Sequence, residues 1–186
     1  MQTTKIGADM PKGAQKIVKR FFPKDQRMPI SSNPNGTLIF RTDKNALGDY
    51  CSFALKPDGT GILKMSDNIS THRQSKKRIF TQVFDFTKSR GKRKVSEEIT
   101  TVQYKTGLMN NIGEAPIYTS STKLDYENDI VSKYDMRLRM NDTFVKNDLP
   151  DKEGITAADR KEIRDAKRHF PALKNAMAKR IGKFFF

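Results

Sequence analysis

The sequence predicts an α+β fold, with an antiparallel sheet of about six to seven strands (an N-terminal hairpin and a main sheet) followed by two C-terminal helices. Segments that alternate between apolar and polar residues follow one another from residue 37 to residue 140, and short turn sequences separate them. Helical spacing occurs near the two ends of the chain. Because no alternating βαβ pattern is present, we expect antiparallel strands with helices covering one face.

The first 34 residues are predicted to form a basic N-terminal arm, and residues 35–186 form the main domain. The arm holds seven Lys or Arg against two Asp. Within it, residues 14–22 carry apolar side chains at helical spacing, and Pro23 ends that short helix. We expect an arm of this charge to lie along nucleic acid or to cross onto a neighbouring chain.

The predicted strands are 37–42, 50–56, 62–65, 79–86, 95–104, 117–123 and 130–140. The first two form a hairpin around a link that contains Gly48. PDGTG at 57–61 is a tight-turn sequence before the third strand. The alternation of 95–104 is imperfect, which indicates a β-bulge. Residues 105–128 are predicted as a long loop with strand character at 117–123.

The segment SKYDMRLRM, residues 132–140, separates into an apolar and a charged face. Its apolar positions are Tyr134, Met136, Leu138 and Met140, and its charged positions are Lys133, Asp135, Arg137 and Arg139. Successive side chains of a strand point to opposite faces. The segment therefore predicts a sheet with one packed face and one charged face.

Two C-terminal helices follow a polar link at 141–154. Thr156 and Asp159 have the spacing of a capping box, which begins the first helix. That helix is predicted to end near His169, because Pro171 follows. The second helix has Pro171 near its first turn and ends at Gly182. One of its faces carries Leu173, Ala176, Met177 and Ile181.

The charge of the chain favours a polyanionic partner. The formal net charge is +15, and the cations concentrate in three separate regions, 1–34, 71–94 and 154–186. Nucleic acid is the first expectation and an anionic membrane surface the second. The sequence lacks a helix with bulky apolar residues opposite a basic face, and it has no run of about 18 apolar residues, so we expect no membrane association.

The sequence offers no catalytic or metal-binding arrangement, and we predict that the protein is not an enzyme and needs no cofactor or small-molecule substrate. His72 and His169 lack metal-ligand spacing to a second His or Cys. Cys51 is expected to be a small buried residue in a strand. Glu97 and Glu98 are adjacent in a strand, so they point to opposite faces and cannot act as a paired acid and base.

A broad sheet face with basic and hydroxyl side chains is suited to RNA. Such a surface is too flat to enter a DNA major groove as a helix does, whereas sheets bind single strands and RNA loops through stacking and hydrogen bonds. Aromatic residues are few at the polar positions, which argues against a general single-strand binder. Folded RNA is therefore the expected ligand.

The order of these segments resembles the coat proteins of single-stranded RNA bacteriophages, the levivirus type. Residues 37–68 are similar to the opening hairpin of that family, and residues 78–104 to two central strands joined by a basic loop. SKYDMRLRM and the sequence ITAADRKEIRDAKRHF at 155–170 resemble the last strand, the link and the first helix. The resemblance covers residues 37–182.

The resemblance implies a homodimer with a continuous sheet, in which the helices of each subunit pack over its partner, and an icosahedral shell of such dimers. It places the protein in the virion after synthesis in the cytoplasm of a bacterial host. The inward sheet face would bind a stem-loop of the single-stranded genome, a complex that also represses translation in that family. By position, the RNA-binding residues would be Thr60, Thr81, Val83, Asp85, Lys94, Ser96, Glu98, Lys133, Asp135, Arg137 and Arg139.

Two other functions are compatible with the sequence. One is a stand-alone single-stranded nucleic-acid-binding protein of a phage or plasmid, and the other is a ribosome-associated protein. Closed particles of the purified protein would separate a coat protein from both.

Overall fold

The computed structural model describes residues 10–32, 34–45, 47–70, 74–87, 93–105, 117–140, 143–147 and 154–182. The elements in chain order are α1 (Lys12–Phe21), β1 (Ser31–Ser32), β2 (Leu38–Arg41), β3 (Tyr50–Leu55), β4 (Thr60–Ser70), β5 (Gln74–Asp85), β6 (Arg93–Lys105), β7 (Tyr118–Glu127), β8 (Ile130–Met140), β9 (Thr143–Asn147) and α2 (Ala157–Gly182). Each strand pairs antiparallel with the next in one nine-stranded sheet. The predicted α+β class is confirmed.

The seven predicted strands correspond to β2 through β8, and two short strands extend the sheet. β1 pairs with β2, and β9 pairs with β8 inside the segment that was predicted as a polar link. The predicted loop at 105–128 is wrong for its second half, because 118–127 forms the complete strand β7. This strand is rich in Ser and Thr, so its two faces differ little in polarity. Residues 106–116 lie outside the described part.

The turn between β3 and β4 forms as its sequence predicts. Gly59 has a φ of +85°, a conformation that favours glycine. The Asp58 carboxylate accepts a hydrogen bond from the Thr60 backbone N–H at 2.8 Å, which lowers the pKa of Asp58. A side chain at Gly59 would also meet Thr87. The hairpin therefore depends on both the Asp and the Gly of PDGTG.

One face of the sheet forms the hydrophobic core with the two helices. By register, Phe40, Phe53 and Leu63 lie side by side on this face, and all three are fully buried. Ile17 and Val18 of α1 belong to the same core, as does Phe22 directly after the helix, and the Phe22 and Phe40 rings lie 6.2 Å apart. We call this side of the sheet the helix face and the opposite side the open face.

The helix predicted at 14–22 is confirmed as α1, and it packs on the sheet. Met10 and Ala14 are also part of the hydrophobic core. Within the predicted arm, residues 10–22 are therefore attached to the body of the protein. The remaining arm residues before Met10 lie outside the described part.

The C-terminal region forms one helix instead of the two that were predicted. α2 continues through Pro171, although this residue cannot donate a backbone hydrogen bond to the preceding turn, a loss of about 3 kcal/mol. Apolar packing on both sides of the proline offsets this cost. Phe170 lies edge-on to Phe80 of β5 at 6.4 Å, and Met177 is fully buried.

α2 packs on the sheet of its own chain, which corrects the expectation that it covers a partner. Polar contacts fix its position along its whole length. Glu162 accepts a hydrogen bond from the Tyr134 hydroxyl of β8. Lys174 donates to Gln82 of β5 at 3.2 Å. Near the C-terminal end, Arg180 pairs at 3.1 Å with the buried carboxylate of Asp49. The capping box at Thr156 and Asp159 forms as predicted.

Candidate nucleic-acid interface

The open face carries a continuous polar row across six strands. Cross-strand partners point to the same side of a sheet. The register from β3 to β8 therefore places the following side chains in line: Ser52, Lys64, Thr81, Glu98, Lys123 and Asp135. Both helices contact the other side, through residues such as Phe40, Phe80 and Gln82. No described helix covers this row.

Ten of the predicted RNA-binding residues lie together on the open face. They are Thr60, Thr81, Val83, Asp85, Ser96, Glu98, Lys133, Asp135, Arg137 and Arg139. Thr81 is the register partner of Glu98, and Val83 that of Ser96. The positions that the family resemblance implied thus come from four strands, β4, β5, β6 and β8, and share one surface.

Lys94 lies on the helix face, which corrects its predicted place beside Ser96 and Glu98. The predicted bulge is present: Val83 pairs with Ser96 but Phe84 pairs with Lys94, so Val95 has no partner. This extra residue reverses the side to which Lys94 points. Its ammonium instead lies 3.0 Å from the carboxylate of Glu97 and 4.8 Å from the centre of the Tyr126 ring.

Glu97 forms the centre of a buried polar cluster on the helix face. The side chain accepts hydrogen bonds from Gln82 at 2.5 Å and from the Tyr126 hydroxyl at 2.6 Å. Burial, followed by the hydrogen bond to Glu97, raises the pKa of Tyr126. The cluster connects to α2, because Gln82 also accepts from Lys174. Lys94 and Glu97 therefore hold the core together and face away from any ligand on the open face.

The carboxylates of the open face have partners within the protein. Asp135 pairs with Arg137 at 3.0 Å, and Asp125 pairs with Lys123 at 3.1 Å. Glu98 accepts a hydrogen bond from the Ser121 hydroxyl at 2.7 Å. These contacts reduce the repulsion that a carboxylate would exert on a phosphate. The acidic residues are thus compatible with an anion-binding surface.

Three lysines provide uncompensated charge on the open face. They are Lys64 of β4, Lys77 of β5 and Lys133 of β8, and among the described residues none of them forms an ion pair. At about 4.8 Å per strand, the four steps from β4 to β8 separate the strands that carry Lys64 and Lys133 by about 19 Å. The sequence analysis included neither Lys64 nor Lys77 among the RNA-binding residues. Lys64 lies within the predicted strand 62–65, and the position of Lys77 follows once β5 is extended to its full length.

Two tyrosines accompany these cations on the open face. Tyr50 and Tyr104 lie there by register, and both are half-buried. The guanidinium of Arg41 lies 4.8 Å from the centre of the Tyr50 ring. An aromatic ring beside an Arg is an arrangement on which an unpaired base can stack. The surface therefore combines cations and aromatic rings, which are the kinds of group that can contact phosphates and bases.

Metal chemistry finds no support in the described residues. They contain no group of three or more His, Cys, Asp or Glu that could hold a metal ion. His169 is exposed on α2, and His72 lies outside the described part. Cys51 is buried as predicted, and burial raises the pKa of its thiol. Of the helices that the structure describes, none is long and apolar enough to cross a membrane.

Comparisons with protein-family models, with curated proteins and with solved structures find no match to this chain.

Proposed function

We propose that this chain is a coat protein that binds and packages single-stranded RNA on the open face of its sheet and assembles as dimers into a closed icosahedral shell. The observation that carries the proposal is the charge arrangement of that face. Its carboxylates are paired within the protein, whereas Lys64, Lys77 and Lys133 are available to phosphates. Hydroxyl side chains and two tyrosines supply hydrogen bonds and stacking for folded RNA.

The order of elements also supports a coat protein. A short hairpin, long central strands, the charged strand β8 and a C-terminal helix follow one another in the order of the levivirus type, with the short strand β9 between β8 and the helix. Among the described strands, β1 and β9 lie at the edges of the sheet. An edge strand leaves backbone groups unpaired on one side. Two copies joined at such an edge would form the continuous sheet of a dimer.

Electron microscopy of the purified protein tests assembly. We expect uniform closed particles that contain RNA. Nuclease should degrade this RNA only after the shell has been opened. A protein that stays monomeric or dimeric, with and without added RNA, would contradict the coat function.

A triple variant tests the RNA face separately. Lys64→Gln, Lys77→Gln and Lys133→Gln together remove three cations from the open face without changing the core. For single strands, each lost phosphate contact lowers the salt slope of binding by about 0.7, so the slope should fall by about 2. The matched control is the triple Lys→Arg variant, which keeps the charge. An unchanged slope in the Gln variant would mean that RNA binds elsewhere.

A stand-alone nucleic-acid-binding protein is the second candidate. It is favoured by the packing of α2 on its own sheet, because a chain that buries its own helix needs no partner to complete the core. The two functions differ in assembly: this candidate predicts a small soluble species whose RNA binding is lost in the triple Gln variant, with no particles.

A further inference from the structure

The outer face of α2 carries a second basic surface, on the other side of the molecule from the open face. Arg160, Arg164 and Arg168 follow at intervals of four residues and so form one row along the helix. Lys161 and Lys167 flank this row, and all five side chains are exposed. At 1.5 Å per residue the row spans about 12 Å.

α1 adds a similar row on the same side of the sheet. Lys12, Lys16 and Lys19 are exposed on the side of α1 that faces away from the core. The two helices touch, since Arg20 donates a hydrogen bond to Asn175 at 3.1 Å. The rows of α1 and α2 therefore belong to one layer, which we call the helix layer.

The cations of the helix layer have few acidic partners. In α2, Asp159 is held in the capping box and Glu162 bonds to Tyr134, which leaves Asp165 as its exposed acid. α1 contains no acidic residue. None of the Lys and Arg residues of the two rows forms an ion pair with a described residue. Positive charge is thus concentrated here with little compensation from the described residues.

The packing of the two helices favours nucleic acid over a membrane as the partner of this surface. A helix that binds a membrane inserts its apolar face into the lipid. In α1 and α2 that face is already buried against the sheet, through residues such as Ile17 and Met177. What is left is a rigid array of exposed Lys and Arg, whose spacing is suited to successive phosphates of a nucleic-acid backbone.

We propose that the helix layer binds the phosphate backbone of nucleic acid as a second site, independent of the open face. Arg160, Arg164 and Arg168 make the principal contacts, and Lys12, Lys16 and Lys19 extend the track. The contacts carry no base specificity, because they address phosphates alone. In a closed shell whose open face points inward, the helix layer lies on the outer side and binds RNA outside the shell or before the shell closes, a consequence that rests on the proposed function of the open face.

The test is the salt dependence of binding to fluorescent poly-uridine. The variant combines Arg160→Gln, Arg164→Gln and Arg168→Gln, since Gln and Arg have similar helix propensities and the three side chains are exposed. We expect the salt slope to fall by about 2. The matched control, Arg160→Lys, Arg164→Lys and Arg168→Lys, should retain the slope of the parent. Thermal unfolding of all three proteins checks that the fold is intact.

The outcomes separate this proposal from its alternatives. A slope and affinity equal to those of the parent would overturn it. Vesicles of phosphatidylcholine and phosphatidylserine form the second arm: loss of vesicle binding with unchanged RNA binding would overturn it in favour of a membrane surface. If the Arg→Gln variant weakens RNA binding while the open-face lysine variant does not, the result supports the helix layer as an RNA-binding site and contradicts the proposed RNA face.

Discussion

Glu97 and Glu98 are neighbours in β6, yet they lie on opposite faces of the sheet and in different environments. Glu97 is 3% exposed and bonds to Gln82, Tyr126 and Lys94. Glu98 is half-buried and accepts from the Ser121 hydroxyl. The first carboxylate is part of a cluster that connects the sheet to α2, whereas the second belongs to a row that no described helix covers.

The difference shows how one sheet can use charge in two ways. On the helix face, the carboxylate of Glu97 is enclosed, and packing fixes its partners. A change there leaves a buried group without a partner and destabilises the fold. On the open face, ion pairs such as Asp135 with Arg137 are partly in solvent and contribute little to stability. Their effect is expected in ligand binding.

The largest expected difference in the free energy of unfolding is between substitutions of Phe80 and Val83 in β5, whose side chains point to opposite faces. Phe80 is fully buried against Phe170, so Phe80→Ala should lower the free energy of unfolding by about 3–5 kcal/mol. Val83→Ala on the open face should cost about 1 kcal/mol or less. Urea unfolding of both variants measures the difference, and equal losses would mean that the open face is also packed.

The next largest difference in stability is expected between substitutions of Glu97 and Glu98. Glu97→Ala leaves Gln82 and the Tyr126 hydroxyl without their acceptor and should cost about 2 kcal/mol. Glu98→Ala should cost less than about 1 kcal/mol, because water reaches its partners. Urea unfolding again provides the measurement. A loss at Glu98 as large as that at Glu97 would contradict the assignment of the two faces.

A smaller difference, in the salt dependence of RNA binding, is expected between substitutions of two cations of β8. Lys133 forms no ion pair with a described residue, whereas Arg137 is already paired with Asp135. Lys133→Gln should therefore lower the salt slope of RNA binding by about 0.7, and Arg137→Gln by less. Fluorescence anisotropy over a series of salt concentrations measures both slopes. A larger effect at Arg137 would show that RNA displaces Asp135 from its guanidinium.

The smallest effect concerns alkaline pH. The folded chain raises the pKa of Tyr126 above its ordinary value of 10.0, so the folded state holds the phenol proton more tightly than the unfolded state does. This contribution to stability is complete below pH 10 and decreases as the pH rises above it. In Tyr126→Phe, the free energy of unfolding should fall less steeply between about pH 9 and pH 11 than in the parent. Parallel curves would indicate that Tyr126 is accessible to solvent.

The sequence predicted the main strands well, because the apolar and polar positions of β5 and β8 alternate clearly. It predicted β7 poorly, since Ser and Thr occupy both of its faces. Pro171 was interpreted as a helix end because local propensity opposes a proline inside a helix. The contacts that outweigh this preference, above all Phe170 on Phe80, join residues far apart in the chain.

The candidate site, too, could be predicted only in part from the sequence. Ten of the eleven residues that the family resemblance implied lie on one face, but the unpaired residue Val95 places Lys94 on the other. The bulge was predicted from imperfect alternation, whereas its exact position depends on pairing with β5. The buried role of Glu97 was also not predictable, because a carboxylate in a strand is normally expected in solvent.

The central claim is that the open face of the sheet is the RNA face, and lysine footprinting tests it most directly. The protein is acetylated with and without bound RNA, and the reactivity of each lysine is measured by mass spectrometry. We expect RNA to protect Lys64, Lys77 and Lys133 and to leave Lys94 unchanged, because that ammonium is held by Glu97 on the opposite face. Unchanged reactivity of the three open-face lysines in a saturated complex would contradict the account.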